Sequence, residues 1–322
     1  MTKPQGMALV LVLWILSLLT IMAGSFALSM RRETVIVSGL KHNAEALAIA
    51  ESGVALAEFM LLNPDQNKRW RADGSIYQID MDNAKLRIRL LSETGKININ
   101  LMELGLLQNI LLRAPSGGNA QLPSATVNRA AAIIDWRDSD DLMSINGAEK
   151  KQYQEAGLNV QPSNKPLQTL EELQQVLGMD EATLNWLEPL VTVTADAPQV
   201  DLQLASKEVL QLISGVNAGV IDAYVAARVN SAKYNQPAPT SPLDPTPSTQ
   251  STDITALTIV SEVQQGEQAT AVINALVKKS ADAQAAPFQV VKWQTNRGTV
   301  SLFTPNMNPL VVRHYAESEF NH

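Results

Sequence analysis

The sequence predicts an α+β protein: one very long N-terminal helix packed on an antiparallel sheet, with a large all-α block inserted between two groups of strands. Three observations predict it. Residues 7–62 contain no proline, and the first part of that run, 7–30, carries no charge. Residues 85–91, KLRIRLL, alternate apolar and polar side chains, and strand-like stretches return near the C-terminus. Between the two groups of strands, residues 101–230 read as helical.

The uncharged run, MALVLVLWILSLLTIMAGSFALSM, is long enough as a helix to cross a bilayer core of about 30 Å. A six-residue stub, MTKPQG, precedes it. A secretory signal has its small-residue cleavage site after the apolar run. Here the small residue, Gly6, stands directly before it, with Lys3 upstream. That order resembles the leader of type IV prepilins, which implies cleavage between Gly6 and Met7 and methylation of the new Met7 amine. The flanking charges argue the other way. Arg31, Arg32 and Lys41 outnumber Lys3, and the positive-inside tendency would put the arginine side in the cytoplasm. The orientation taken here, stub inside and domain outside, follows the resemblance.

Beyond the apolar run the helix continues to about Leu62. Ala50, Val54, Ala57 and Leu61 are spaced four, three and four apart, and Leu47 sits beside them, so they share one face. Their small size would let a sheet lie close, and the same face is the candidate surface for partner helices. Asn63-Pro64-Asp65 ends the helix, because proline disfavours helix in the residue before it.

Residues 75–79 and 85–91 are predicted strands joined by a turn at Asp82-Asn83, and 97–100 follows a second turn at Gly95-Lys96. In the helical block, LQQVLGMD (173–180) resembles LQLISGVN (210–217). Each reads as a helix, a glycine stop and a new helix capped by Asp180 or Asn217. Thr169 with Glu172 fits a capping box. These are hairpins of the SAM-like and helix-hairpin-helix kind. Residues 231–252 contain five prolines among serine and threonine and read as an exposed loop. Residues 253–263, 288–293 and 299–303 are the predicted later strands, with a turn at Asn296-Arg297-Gly298. The organisation is therefore leader 1–6, helix 7–62, an α/β domain from 63–100 and 253–322, an inserted block 101–230 and the loop 231–252.

Composition narrows the function. The 322 residues include no cysteine, which excludes thiolate zinc sites and disulfides. The net charge of −7 would become −8 without Lys3, a balance opposed to nonspecific phosphate binding. The three histidines, His42, His314 and His322, stand in no nucleophilic or metal-binding motif, so the reading is not an enzyme. The rival reading is a membrane-tethered helix-hairpin-helix DNA binder. It meets carboxylates, Asp180 and Glu181, at a helix start where a phosphate would sit, so no nucleic-acid partner is expected.

One metal candidate remains, the acidic run Asp135, Asp138, Asp140, Asp141 and Glu149. Counted from Asp138, Asp140, Asn146 and Glu149 fall at positions 3, 9 and 12 of a calcium loop. Leu142 and Met143 occupy positions 5 and 6, so it is not an EF-hand. The bland reading is a solvated loop whose side chains cap helices.

The leader, AEALAIAESGVALAE (44–58), TGKININ (94–100), IIDWRDSDD (133–141) with NGAE (146–149), and TLEELQQVLGM (169–179) together resemble the K-type minor pseudopilins of the type II secretion system. Most pilins carry glutamate at the fifth mature position, where this chain has Leu11; K-type members lack it. The segment VDLQLA (200–205) is less asparagine-rich than that family suggests. The resemblance implies a type IV pilin-like fold, an inner-membrane anchor with a periplasmic domain, and a place at the pseudopilus tip in protein export. It implies I-type and J-type minor pseudopilins, other pseudopilins, the inner-membrane assembly platform and prepilin peptidase as partners. It also implies calcium as the one cofactor, with Asp138, Asp140, Asp141 and Glu149 as candidate ligands. A minor pilin of a type IV pilus-like system is the other assembly reading.

Overall fold

The computed structural model describes residues 6–115, 127–194, 199–213, 215–243, 255–266, 269–280, 282, 284–296 and 300–313. Residues 1–5, residues 244–252 of the proline-rich loop, the Arg297-Gly298 part of the last turn, His314 and His322 lie outside the described residues.

Helix α1 runs Gly6–Leu61, 56 residues, or about 84 Å at 1.5 Å per residue. From Leu9 to Ala44 its described side chains are exposed throughout. Burial begins at Ala46, where the helix reaches the sheet. Ala46, Ala50, Val54, Ala57 and Leu61 pack on Leu86, Ile88, Ile259, Ile273 and Ala275. Gly53 is the point of closest approach, since a Cβ there would overlap Ser261 Oγ and lie 3.1 Å from Leu86 Cδ1.

The sheet contains β1 (Asp73–Asp80), β2 (Ala84–Ser92), β5 (Ala256–Gln265), β6 (Ala269–Lys279), β7 (Phe288–Thr295) and β8 (Val311–Arg313). Its order is β7-β6-β5-β2-β1-β8, antiparallel except for the β1–β8 pair. β2 leads directly to β5 across the sheet, so everything between them is an excursion from one continuous sheet. On the face away from α1, Arg89, Thr258 and Val260 meet the inserted block, while Arg87 and Glu262 are covered by the segment 301–308.

That block contains β3 (Ile97–Asn98), α2 (Leu104–Leu111), α3 (Arg129–Arg137), α4 (Lys150–Glu155), α5 (Glu181–Leu187), β4 (Val191–Thr192), α6 (Lys207–Ile213) and α7 (Ala218–Lys233). The two hairpins form as the sequence predicts. Gly178 and Gly215 take positive φ, Asp180 accepts from Thr183 N at 2.6 Å, and Asn217 accepts from Gly219 N at 2.8 Å. Glu172 accepts from Thr169 N, but the capped segment Leu170–Gln175 is a 3-10 helix. The block has its own core around Ile133, Trp136, Tyr153, Leu173 and Val209, which continues through Val260 and Ile76 onto the sheet.

Several expected boundaries move. β3 lies outside the six-stranded sheet and pairs in parallel with β4 in a sheet of two strands. α7 runs to Lys233, three residues into the expected loop. β6 is an additional central strand. The described part of 299–303 forms a turn rather than a strand. It leads through the 3-10 helix Pro305–Leu310 into β8, because buried charges on the sheet hold it. Arg87 Nη1 donates to Leu302 O at 2.6 Å, and Ser301 Oγ donates to Glu262 at 2.6 Å.

Candidate functional site

The protruding half of α1 is the first candidate surface. It is the one helix among the described residues long and apolar enough to cross a membrane. Two hydroxyls of the uncharged run are closed internally: Ser17 Oγ and Thr20 Oγ1 donate to Leu13 O and Leu16 O at 2.8 Å, the arrangement that apolar surroundings favour. Leu11 is exposed. Gly6 is the first helical residue, and the Met7 side chain lies outside the described residues. Val35, Ile36, Val37 and Leu40 continue the exposed apolar surface past the uncharged run.

The face expected to meet partner helices is corrected here. Ala50, Val54, Ala57 and Leu61 are buried against the chain's own sheet, and Leu47 packs at the margin of the same core. Small residues satisfy the close approach of sheet to helix, which leaves none of that surface for another subunit. Sequence reasoning missed Ala46 and Gly53 as members of this face.

The acidic loop is the second candidate. Asp135 is fully buried at the end of α3 and accepts from Ser144 N at 3.1 Å and Ala148 N at 2.8 Å. Gly147 is required beside it, because a Cβ there would overlap Asp135 Oδ2. Asp140 Oδ1 accepts from Leu142 N at 2.8 Å, and Asp141 Oδ1 accepts from Asn164 Nδ2 at 2.7 Å. These bonds fix the loop. They leave buried oxygens without a partner on Asp138 (Oδ1), Glu149 (Oε1) and Asn164 (Oδ1).

Electrostatic crowding accompanies those orphan oxygens. Burial, then the charges of Asp135, Asp138 and Asp141, push the Glu149 carboxyl up to about 7. Burial, then Asp140 and Asp135, raise Asp138. Among the described residues no three His, Asp or Glu side chains converge as a formed metal cage. The four predicted carboxylates are therefore gathered in one loop without meeting at one point. Asn164, at positive φ (50°) in the turn facing them, is a participant the sequence reading missed. The residues still fit a hard cation, which takes six to eight oxygens and accepts amide and backbone carbonyls. Unpaired buried carboxylate oxygens are costly without one.

The helix starts of the two hairpins do not fit phosphate. Their first amides are taken by Asp180 and Asn217, and Arg129 Nη1 lies 3.8 Å from the Asp180 carboxylate.

Fold and helix define the class: an α+β domain with a helical insertion, whose first helix extends from the sheet and is long and apolar enough to cross a membrane. The comparisons narrow it. Residues 106–196 match the family model for type II secretion system (T2SS), protein K, the family that the sequence resembles. The type II secretion system protein K of Klebsiella pneumoniae is 25% identical over 210 residues, 60% of this chain. The chain spans 64% of the length of that relative. A chain of the GspK-GspI-GspJ complex from enterotoxigenic Escherichia coli is similar at 17% identity and a TM-score of 0.49, covering 81% of this chain and 99% of its own.

Proposed function

We propose that this chain is a minor pseudopilin of a type II secretion system. It waits in the inner membrane on residues 7–30 with its domain in the periplasm. After cleavage behind Gly6 and methylation of Met7, it assembles with I-type and J-type minor pseudopilins at the tip of the pseudopilus, to initiate it and support protein export. Its role is structural rather than enzymatic. The observation that carries this reading is the T2SS protein K domain inserted into a pilin-like sheet behind an exposed helical stalk. A block on the outer face of the sheet is too bulky to repeat along a thin filament, which favours a terminal place. Exposed Val35, Ile36, Val37 and Leu40 suit lateral packing of long helices outside the bilayer.

Calcium belongs to the same proposal. Asp138, Glu149 and Asn164 would hold it through their orphan oxygens, beside Asp140 and Asp141, and it would neutralise the crowded carboxylates and tie the loop to the 164 turn.

Co-expression of the full chain with the I-type and J-type subunits, followed by purification through one tagged partner, tests the assembly. A ternary complex is expected. Subunits that each fold and yet elute separately would count decisively against the role.

A further inference from the structure

The sheet ends at β7 on one side, and among the described residues no strand pairs with its outer edge. Native edge strands are usually short, charged or covered against pairing. β7 has eight residues, and its Val290, Val291 and Trp293 are 52%, 59% and 42% exposed. A bulge sets Val291 out of register and leaves residues 292–295 as a regular stretch. Asn296 N donates inward to Val272 O, so by antiparallel alternation the N–H and C=O groups of Trp293 and Thr295 point away from β6. The two faces of this edge differ. Val290 and Trp293 pair with Val277 and Ala275, which pack on the α1 side, so their exposed apolar surface lies on that side. Lys292 and Gln294 face the inserted block, where they line an open groove of about 400 Å³ between block and sheet. Glu171 and Glu188 both hold Lys292, and Glu181 lies beside them in an adjoining pocket. Among the described residues lining the groove and that pocket, Glu93, Glu171, Glu181 and Glu188 stand against Lys96 and Lys292, a net charge of −2. Lys278, further along β6 on this face, lines neither.

We propose that the outer edge of β7 takes up, as an added strand, an extended segment of another protein in which basic and apolar residues alternate. Main-chain hydrogen bonds to Trp293 and Thr295 hold the segment. Its alternation follows from the two faces of the edge. Side chains on one side of an added strand meet Val290 and Trp293, and those on the other meet the glutamates around Lys292. A second copy of this chain is the wrong occupant, because β7 paired antiparallel with β7 would bring two net-negative grooves together. The segments of this chain outside the described residues do not fit either. Apart from Lys3 and Arg297 they carry no lysine or arginine, and 314–322 contains Glu317 and Glu319. The inference rests on the sheet edge and its charge, not on the pseudopilin reading.

Peptide binding tests it. The full chain in nonionic detergent micelles is titrated into a short fluorescein-labelled peptide that alternates lysine and valine, and anisotropy reads binding. Saturable binding is expected, with slowed hydrogen exchange in β7. The same peptide with its internal amides N-methylated keeps its charge but cannot donate to the edge, and should bind about tenfold more weakly. A peptide alternating glutamate and valine should not bind. Glu171→Gln with Glu188→Gln should weaken the lysine peptide by about tenfold. Thr295→Pro, which removes one outward N–H, should weaken it as much; Trp293→Ser is the second edge variant if Thr295→Pro does not fold. No binding of the lysine peptide, equal binding of its N-methylated form, or unchanged binding by the folded edge variants overturns the proposal. Equal binding of the glutamate peptide, or of the lysine peptide by the double glutamine variant, overturns the assignment of a basic partner. A dimer of the chain that the edge variants dissociate would make a second copy the occupant and overturns it as well.

Discussion

Gly53 of the long helix and Ser261 of β5 face each other with no room for a single added carbon. Ser261 Oγ is buried there without a hydrogen-bond partner. Two effects compete when Gly53 becomes alanine. Alanine is favoured over glycine in a helix by about 1 kcal/mol. Overpacking at a tight contact costs about 1–3 kcal/mol. The contact wins, because Leu86 closes the other side at 3.1 Å, so Gly53→Ala should lower the melting temperature. Ser261→Ala removes the obstructing oxygen and an unsatisfied polar group together. Alone it should be neutral or stabilising, and combined with Gly53→Ala it should restore or exceed the wild-type melting temperature. Thermal unfolding of the four proteins closes the cycle. Additive effects would mean the two residues do not touch.

Glu93 joins the sheet to the inserted block. Its carboxylate accepts Lys96 Nζ at 2.6 Å, Thr192 Oγ1 at 2.5 Å and Thr258 Oγ1 at 2.7 Å. Burial alone would raise its pKa, but Lys96 and the two hydroxyls outweigh that and hold it below the ordinary value of 4.5. A carboxylate with a depressed folded pKa gives stability that is present above about 4.5 and lost as pH falls through the folded value. Glu93→Ala leaves a buried ammonium unpaired and should cost about 3–5 kcal/mol at neutral pH. Glu93→Leu with Lys96→Met should recover most of that loss. Denaturant unfolding at pH 7 measures both, and a harmless Glu93→Ala would remove this fastener from the account.

Glu149 has the opposite sign. Its folded pKa of about 7 stands above the ordinary 4.5, so without a cation the folded state binds the extra proton. That contribution is complete below about 4.5 and is lost as pH rises toward 7, an effect on the order of 2 kcal/mol. In chelator, Glu149→Gln should therefore raise stability at pH 7.5 and change it little at pH 5. Calcium competes for the ionised form, so its addition should raise the wild-type melting temperature most at pH 7.5. Asp138→Asn and Asp140→Ala should blunt that rise. A melting temperature indifferent to calcium at both pH values would return the loop to a helix-capping role.

The long helix, the β1–β2 hairpin and both capped helical hairpins were legible because each is a local pattern: no proline, strict alternation, a glycine followed by a capping residue. β6 was not. Val272, Asn274 and Leu276 face the inserted block while Ala271, Ile273 and Ala275 face α1, so the strand is covered on both sides and its alternation is blurred. The turn at 301–303 imitates a strand because Leu302 is needed in the core and its backbone is needed by Arg87 and Glu262. Pairing of β3 with β4 joins residues far apart in the chain, and no two-residue pattern announces such a partner. The acidic cluster was visible, but Asn164 comes to it from a separate turn. The anchor was plain from composition, whereas which helix face stays free depended on where the sheet lies.

Leu11 is the last test, and it bears on where the subunit sits in a filament. Its side chain is exposed on the membrane stalk. A carboxylate at that depth would cost about 2.5–3.5 kcal/mol unless paired, and the paired state exists only beside another subunit's terminal amine. A glutamate there would therefore draw a subunit onto one already in place. Leucine carries no such demand, yet a chain cut behind Gly6, as proposed, would still offer its Met7 amine to a glutamate of the next subunit. Offering the amine without needing one suits the first position. Leu11→Glu should shift the protein toward internal positions or slow initiation. Cysteine crosslinking along the stalks in secreting cells reads both, in a chain with no native cysteine to interfere. Wild-type crosslinks, membrane extraction and secretion in that variant would show that the absent charge does not set its place.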